Sequence, residues 1–198
     1  MLNLLIAGVG GQGTVLGARL LGLAALEKGL KLRGSETIGM AQRGGSVVSH
    51  LRLGEGAHSP LIPLGQADLL LAFEPAEALR ALPFLRAGGH MLVADRAVQP
   101  AGMPHYDVPA VLACLKRRRP GSFFLGGDEV LARVGGRGLN VAMLGAAAAL
   151  GLLPFGLAEL ETALRRRLAP HTIESNLRAL HLGAKMAKEG GNKDGNDQ

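Results

Sequence analysis

The chain has 198 residues, 47% of them hydrophobic and 19% charged, which suits a single globular domain and excludes a disordered protein. Aromatic residues make up 3% and Trp is absent, which argues against a protein that stacks the bases of single-stranded nucleic acid. The net charge of +6 fits acidic ligands, acidic partners or an arginine-rich compositional bias, and it does not select among them. Because Cys114 is the single cysteine, the chain can form neither an intrachain disulfide nor a cysteine cluster, and a reducing cytoplasm is the natural compartment. Cys114 stands in an apolar pattern that is typical of a core residue.

The chain opens with a strand, a glycine turn, a helix and a second strand. Leu2–Ala7 is short and continuously apolar, as in a buried parallel strand. It leads into a turn over residues 8–13 and a helix over Thr14–Lys28, which Gly29 closes at its C-terminus. A second strand is predicted over Lys31–Gly34. This βαβ order predicts a parallel sheet with a right-handed crossover.

The rest of the chain alternates strands and helices and then becomes helical. The elements predicted first are an irregular glycine-rich segment at 35–46, a strand at 47–53, a loop at 54–65, a strand at 68–73, a helix at 76–85, strands at 90–94 and 106–108, a helix at 110–118 and a strand at 122–125. The predicted C-terminal helices cover 128–134, 139–152, 157–168 and 173–188. The sequence thus predicts an α/β, Rossmann-like three-layer sandwich with a mainly parallel sheet and extra C-terminal helices, in one domain over residues 1–189 with a disordered tail at 190–198.

The glycine turn has the spacing G-x-G-x-x-G, with Gly8, Gly10 and Gly13 between a strand and a helix. Glycines at such a place allow close approach of the backbone, and the start of the helix offers free N–H groups to an anion. Three interpretations stay open: a tight turn that binds nothing, a site for an anion or a partner, and a dinucleotide site. The last requires an acidic residue about 20 positions onward to hold a ribose, and the nearest acid, Glu36, lies past the predicted second strand.

The segment Ser35–Ser46 is a long polar loop between two predicted strands, and such loops in compact domains tend to be functional. Arg43 stands beside Gly44 and Gly45, where its guanidinium and accessible backbone amides suit a phosphate or a carboxylate. In a parallel sheet this loop would lie beside the glycine turn, at the carboxyl ends of the strands. The alternative is an ordinary surface loop with a solvated arginine, and Met40 fits a core plug and an interface contact equally well.

A set of segments spread over the chain carries a family resemblance, namely Ala7–Gly13, Ser35–Thr37, Gly39–Val47, Ser59–Pro63, Phe73–Pro75 and Leu139–Ala146. These segments resemble the gamma-type domain of 2-oxoacid:ferredoxin oxidoreductases. The form Gly-Met-Ala-Gln-Arg-Gly-Gly at 39–45 is similar to the indolepyruvate branch, in its beta subunit. The resemblance extends over about residues 2 to 188, and one departure is Ile38, where members of the family often carry a histidine.

In that family, a large alpha-type partner subunit holds thiamine diphosphate with magnesium and [4Fe-4S] clusters. The complex decarboxylates a 2-oxoacid, joins the acyl group to coenzyme A and passes electrons to ferredoxin. The resemblance therefore implies a subunit without clusters that is inactive alone and supports this reaction on indolepyruvate or another arylpyruvate. The chain lacks the Gly-Asp-Gly motif of thiamine diphosphate binding, since Glu129 follows Gly127 and Asp128. The residues expected to face the partner's active site and to help position the coenzyme A phosphates are Gly8, Gly10, Gly11, Gln12, Gly13, Gln42, Arg43, Gly44, Gly45 and Ser46, with Glu36 as a supporting candidate.

Other charged groups offer weaker candidates for a site. The runs Lys116–Arg119 and Arg165–Arg167 are typical of solvated helix ends, although the first could meet acidic ferredoxin or a phosphate. The six histidines are spread out, so no metal site is predicted. Two alternative functions remain: a stand-alone NAD(P)-dependent oxidoreductase, which the missing ribose acid weakens, and a non-enzymatic module that docks partners. We expect neither a nucleic-acid nor a membrane partner, and an isolated chain could form a homodimer through its orphaned interface.

Overall fold

The computed structural model describes residues 1–39, 44–98, 106–135 and 138–191. The strands are β1 Leu2–Val9, β2 Leu32–Ile38, β3 Ser46–Leu53, β4 Ala67–Ala72, β5 Leu85–Ala94 and β6 Phe123–Leu125. The α-helices are α1 Thr14–Glu27, α2 Pro75–Ala81, α3 Val108–Arg118, α4 Gly127–Val134, α5 Leu139–Ala149, α6 Leu157–Arg167 and α7 Pro170–Gly191, and a 3₁₀ turn, Leu82–Phe84, follows α2. No helix in the described ranges combines the length and the hydropathy that a membrane span requires.

The strands form one sheet in the order β2-β3-β1-β4-β5-β6. β1, β4, β5 and β6 are parallel, whereas β3 runs antiparallel to both of its neighbours, β1 and β2. β2 therefore points in the same direction as β1 but is separated from it by one strand. The predicted α/β, Rossmann-like sandwich with a mainly parallel sheet is confirmed, and the insertion of β3 between β1 and β2 is the feature that the sequence did not reveal.

Helices cover both faces of the sheet and create two cores. On one face, α1 and the C-terminal helices α5, α6 and α7 pack over Leu4 and Ile6 of β1. On the other face, α2 and α3 pack over Leu5 and Ala7 of the same strand. Successive side chains of a strand point to opposite faces, so the continuously apolar β1 supplies both cores, as expected of a buried parallel strand.

Helices α5 and α7 approach each other through two glycines. A Cβ atom at Gly145 would lie 2.0 Å from the carbonyl oxygen of Leu180, and one at Gly183 would lie 1.9 Å from that of Ala142. These distances leave no room for a side chain, because the two helix backbones touch at both points. The buried part of α5 runs over residues 140–147, so most of this helix lies in the core.

The largest differences in strand length concern β2 and β5. β2 continues to Ile38, so the prediction that the chain is irregular from Ser35 onward is wrong for its first four residues. β2 is an exposed edge strand, and its polar residues still pair with β3, with Glu36 opposite Ser49. β5 begins at Leu85 instead of residue 90, since Leu85 pairs with Ala67 before the register of β4 and β5 shifts.

Three further predictions need correction. The predicted strand at 106–108 is wrong, because the Asp107 carboxylate accepts a hydrogen bond from the Ala110 N–H at 3.0 Å and caps α3. Cys114 is only partly buried, since Leu115 is the one fully buried residue of that helix. Helix α7 extends to Gly191, into the segment predicted as a tail, and residues 192–198 lie outside the described ranges.

Candidate functional site

The order of the strands changes direction at β1, because the chain passes from β1 toward β2 on one side and returns as β4 on the other. In open α/β sheets, ligands bind in the crevice outside the carboxyl ends of the strands at such a switch point. Here the crevice is bordered by the glycine turn after β1, the loop before β3, the start of α2 and Tyr106. The fold thus brings the two loops that the sequence singled out to one edge of the sheet.

The glycine turn is held by its backbone conformation and by Gln12. Gly11 and Gly13 have φ angles of 97° and 80°, a region that strains any residue with a side chain. The Gln12 side-chain oxygen accepts a hydrogen bond from the Val9 N–H at 2.9 Å, and its nitrogen donates one to the Phe73 carbonyl at 2.8 Å. Both ends of the Gln12 carboxamide are therefore used to tie the turn to the end of β4.

Helix α1 begins directly after this turn and points its N-terminus at the crevice. Within the described ranges, the backbone N–H groups of Thr14, Val15 and Leu16 meet no hydrogen-bond acceptor, as is usual in the first turn of a helix. The Thr14 hydroxyl is buried and also lacks a partner among the described residues. A Cβ atom at Gly8 would lie 2.9 Å from this hydroxyl, so glycine is the residue that leaves it room. Such a group of free donors favours an anion.

The second loop is joined to the glycine turn by backbone hydrogen bonds. The Gly10 N–H donates to the Gly45 carbonyl at 2.8 Å, and the Gly44 N–H donates to the Gly10 carbonyl at 3.5 Å. At the other end of the loop, the Gly39 N–H donates to the Ser46 carbonyl at 2.9 Å. The glycine turn is therefore hydrogen-bonded to the C-terminal end of the second loop, at Gly44 and Gly45.

Most of the residues predicted to contact a ligand lie at this edge of the sheet. They are Gly8, Gly10, Gly11, Gln12, Gly13, Gly44, Gly45 and Ser46. Gln42, the predicted polar contact, and Arg43, the predicted contact to an anion, lie outside the described residues, as does Met40. The structure therefore shows where the backbone of the predicted site lies. The contact of the Arg43 guanidinium with an anion stays a prediction.

Two buried carboxylates at the start of α2 border the same crevice, and the sequence reasoning missed their role. One Glu74 oxygen accepts the Glu77 N–H at 2.9 Å, and the other accepts the Tyr106 phenol. Glu77 accepts a hydrogen bond from the Ser46 hydroxyl at 2.5 Å and forms an ion pair with Arg80. A usable signal was present, since Glu74 stands before a proline that starts a helix and a second Glu follows three residues later, a spacing typical of helix caps.

A third polar residue at this edge, Asn140, was noticed only as part of the family pattern. It is buried at the start of α5, and its Nδ2 donates to the Gly13 carbonyl at 3.4 Å. A Cβ atom at Gly13 would lie 2.4 Å from the same Nδ2. Asn140 therefore fits closely against the glycine turn from the helical side.

The near match to the thiamine diphosphate motif is the start of a helix. The Asp95 carboxylate at the end of β5 accepts the Gly127 N–H at 2.7 Å, and Arg96 pairs with Asp128 at 2.8 Å. These contacts attach α4 to β5. Throughout the described ranges, no three His, Cys, Asp or Glu side chains converge as a metal site would require.

Glu36, the acid nearest to the spacing of a dinucleotide site, lies on β2. Because β3 separates β2 from β1, Glu36 is two strand spacings, roughly 10 Å, away from β1. It lines a different cavity, an open groove of about 580 Å³ between α1 and β2 whose walls include Leu26 and Leu32. The acid that would hold a ribose is therefore not beside the glycine turn.

The fold and the paired loops define a class of protein, and comparison with known sequences gives the class its name. The sequence matches the family described as pyruvate ferredoxin/flavodoxin oxidoreductase over residues 3–186. The chain belongs to this family, and it is a subunit of a 2-oxoacid:ferredoxin oxidoreductase, a complex with larger catalytic subunits.

Within the family, the chain is similar to subunits named for indolepyruvate. It is 38% identical to the indolepyruvate oxidoreductase subunit IorB of Thermococcus kodakarensis, over 94% of this chain and 96% of the relative. It is 35% identical to the subunit of the same name from Archaeoglobus fulgidus, over 96% of each chain. The similarity extends over nearly the whole length of both partners in each comparison.

Solved structures share the fold at lower sequence identity. The gamma subunit of a keto/oxoacid ferredoxin oxidoreductase from Geobacter sulfurreducens matches with a TM-score of 0.68 and 23% identity, over 96% of this chain and 99% of that one. The 2-oxoglutarate:ferredoxin oxidoreductase of Magnetococcus marinus matches with a TM-score of 0.71 and 19% identity, over 95% of this chain but 31% of that one. The fold thus occurs both as a separate subunit and as part of a longer chain.

Proposed function

We propose that this chain is the non-cluster subunit of a cytoplasmic indolepyruvate or arylpyruvate ferredoxin oxidoreductase. The names of the full-length relatives support the substrate class. The partner would be one large alpha-type subunit or its equivalent, and the electrons would pass to ferredoxin through the complex. A single domain over residues 1–189 agrees with the continuous sheet and with the helices packed on it.

In that complex, the glycine turn and the second loop help to position the phosphates of coenzyme A at the partner's active site. The observation that carries this proposal is the cluster of free donors at the switch point, made by the first turn of α1 and the buried Thr14 hydroxyl. Arg43 would add a charge-assisted hydrogen bond from the adjoining loop. The Magnetococcus enzyme, whose structure is described with coenzyme A and succinyl-CoA bound, contains the same fold and supports the assignment.

The partner's thiamine diphosphate, magnesium and [4Fe-4S] clusters would supply decarboxylation and electron transfer. This chain has one cysteine, partly buried on α3, so it does not provide the thiolates for such a cluster. Its own residues bind and orient: backbone amides hold phosphate, and Gln12 and Asn140 keep those amides in place. No proton transfer or covalent step is therefore assigned to this chain.

The dehydrogenase alternative is disfavoured by the order of the strands. A dinucleotide site places the ribose acid on the strand next to β1, at the same edge as the glycine turn. Here that neighbour is the antiparallel β3, whose first residues, Ser46 and Val47, lie at this edge. Glu36 lies on β2, one strand further from β1. A glycine turn that lacks this acid on the neighbouring strand suits the phosphates of a ligand better than a ribose.

Reconstitution tests the proposed function. We expect the isolated chain to be colourless and inactive with any 2-oxoacid, coenzyme A and a dye acceptor. Co-expression with the large subunit should give a brown complex that forms acyl-CoA and prefers indolepyruvate to pyruvate and 2-oxoglutarate. Turnover by the isolated chain, or micromolar affinity for NAD in calorimetry, would instead favour an independent oxidoreductase.

A further inference from the structure

We infer that Glu77 and Glu74 are positioning residues that fix the two chain segments bordering the coenzyme A crevice. Glu77 holds the end of the second loop at Ser46, and Glu74 holds Tyr106 on the opposite side. The inference rests on the proposed function for the identity of the ligand. Its structural part, that these carboxylates set the position of both segments, stands on contacts within the described residues.

The Glu77 carboxylate is almost completely enclosed, with 2% of the side chain exposed. One oxygen accepts the Ser46 hydroxyl at 2.5 Å, and the other pairs with Arg80, whose own side chain is 67% exposed. A buried carboxylate is costly unless its oxygens are hydrogen-bonded, so the site strongly favours the conformation in which Ser46 reaches it. Ser46 was expected to contact a ligand, and its hydroxyl is used here to anchor the loop.

The Glu74 carboxylate is enclosed to the same degree, with 1% of the residue exposed. It accepts the Glu77 N–H as the cap of α2, and it accepts the hydroxyl of Tyr106. Burial and the adjacent Glu74 raise the pKa of Tyr106 well above its usual value, so the phenol keeps the proton that it donates. Glu74 thus fixes the segment that leads into α3.

The effect of these anchors reaches the glycine turn through short links. Ser46 pairs with Val9 at the end of the β1–β3 ladder, and the preceding residue, Gly45, accepts the Gly10 N–H. From the other side, Gln12 donates to the carbonyl of Phe73, the residue directly before Glu74. The segment 73–77 therefore touches the turn and both bordering segments.

Single-atom changes test the inference without removing the buried carboxylates. Ser46→Ala deletes one oxygen from the loop anchor, and Tyr106→Phe deletes one from the other. In the reconstituted complex, we expect Ser46→Ala to raise the KM for coenzyme A roughly threefold to tenfold, with kcat and the KM for the 2-oxoacid nearly unchanged. Ser46→Thr restores the hydroxyl and should restore the KM.

A structural measurement on the isolated chain accompanies the kinetics. Ser46→Ala should accelerate hydrogen exchange of the backbone amides at residues 44–46 while leaving α5 and α7 unchanged. Arg80→Lys is the matched control, because it keeps a cation available to the other oxygen of Glu77 and leaves the contact with Ser46. We expect Arg80→Lys to change neither the exchange at 44–46 nor the KM for coenzyme A.

The outcomes separate this inference from the proposed function. Faster exchange together with a higher KM for coenzyme A supports both. Faster exchange with an unchanged KM supports the anchoring role and removes coenzyme A from the loop, which contradicts the proposed function. Unchanged exchange in a folded Ser46→Ala variant overturns the anchoring role, whatever the kinetics show. If Ser46→Ala does not fold, faster exchange at 44–46 in Glu77→Gln relative to Arg80→Lys supports the inference, and equal exchange overturns it.

Discussion

Glycines occur in two critical regions of this molecule, the crossing of α5 and α7 and the turn after β1, and they are needed for different reasons. At the crossing, Gly145 and Gly183 let two helix backbones touch, and both have ordinary helical φ angles. In the turn, Gly11 and Gly13 have positive φ angles, and a Cβ atom at Gly11 would meet nothing within 4 Å.

We expect the glycines of the helix crossing to matter for stability and those of the turn to matter for binding. The crossing lies in the buried core, so a change there should weaken the whole fold. The turn lies at the edge of the sheet and exposes backbone amides, so a change there should alter the proposed binding site and cost less stability. Gly→Ala substitutions in the two regions can therefore test which region determines stability and which determines binding.

The largest effect is expected at the helix crossing. Gly183→Ala places a methyl group 1.9 Å from the Ala142 carbonyl oxygen, so α5 and α7 must separate. Overpacking of this kind costs about 3 kcal/mol in the free energy of unfolding, which urea denaturation would measure. Gly190→Ala on the same helix is the control, since its neighbour is the movable Phe123 ring, and it should be nearly neutral. Equal effects of the two substitutions would refute the role of backbone contact.

A smaller loss of stability is expected in the turn. Gly13→Ala forces a residue with a side chain into a φ of 80° and also meets Asn140, 2.4 Å from its Nδ2. The backbone term alone is worth about 1–2 kcal/mol. Removing the clash in an Asn140→Ala background should reduce the cost of Gly13→Ala toward that term. A double-mutant cycle measures the coupling, and additive effects would show that the clash does not matter.

The smallest effect is expected at the surface ion pair between α1 and α6. Lys28, at 2.8 Å, and the Gly156 N–H lower the pKa of Glu159 from 4.5 to about 2. A depressed pKa stabilises the folded state above pH 4.5, and that contribution is lost as the pH falls toward 2. Glu159→Gln should therefore lower the Tm slightly at pH 7 and less at pH 3. A difference in Tm that does not vary with pH would exclude this pair as its source.

Much of the fold could be predicted because its strands are strongly patterned. The apolar runs of β1 and β4 are buried on both faces, and that is the condition under which a continuous run identifies a parallel strand. The end of β2 could not be predicted in the same way. As an exposed edge strand it has polar residues at Ser35, Glu36 and Thr37, and pairing with β3 decides its length.

The parts of the site that depend on a backbone conformation could be predicted, because glycine indicates such a conformation. The side chains whose contacts are far away in sequence could not be predicted. The spacing of Gly11 and Gly13 indicates a tight turn directly before helix α1 in the chain. Glu77 contacts Ser46, 31 residues away in sequence, because the antiparallel β3 brings Ser46 to it. The cap spacing could have marked Glu74 and Glu77 as residues at a helix start, but no local pattern records a contact of that range.

The most direct test of the proposed coenzyme A role is the kinetics of Arg43→Ala in the reconstituted complex, because Arg43 is the predicted anion contact of the second loop. A charge-assisted hydrogen bond to phosphate is worth about 1.5–3 kcal/mol, so its loss should raise the KM for coenzyme A roughly ten- to a hundredfold. The KM for the 2-oxoacid should stay the same, and size-exclusion chromatography should show an intact complex. An intact complex with unchanged constants for both substrates would remove Arg43 from the site and contradict the proposed role.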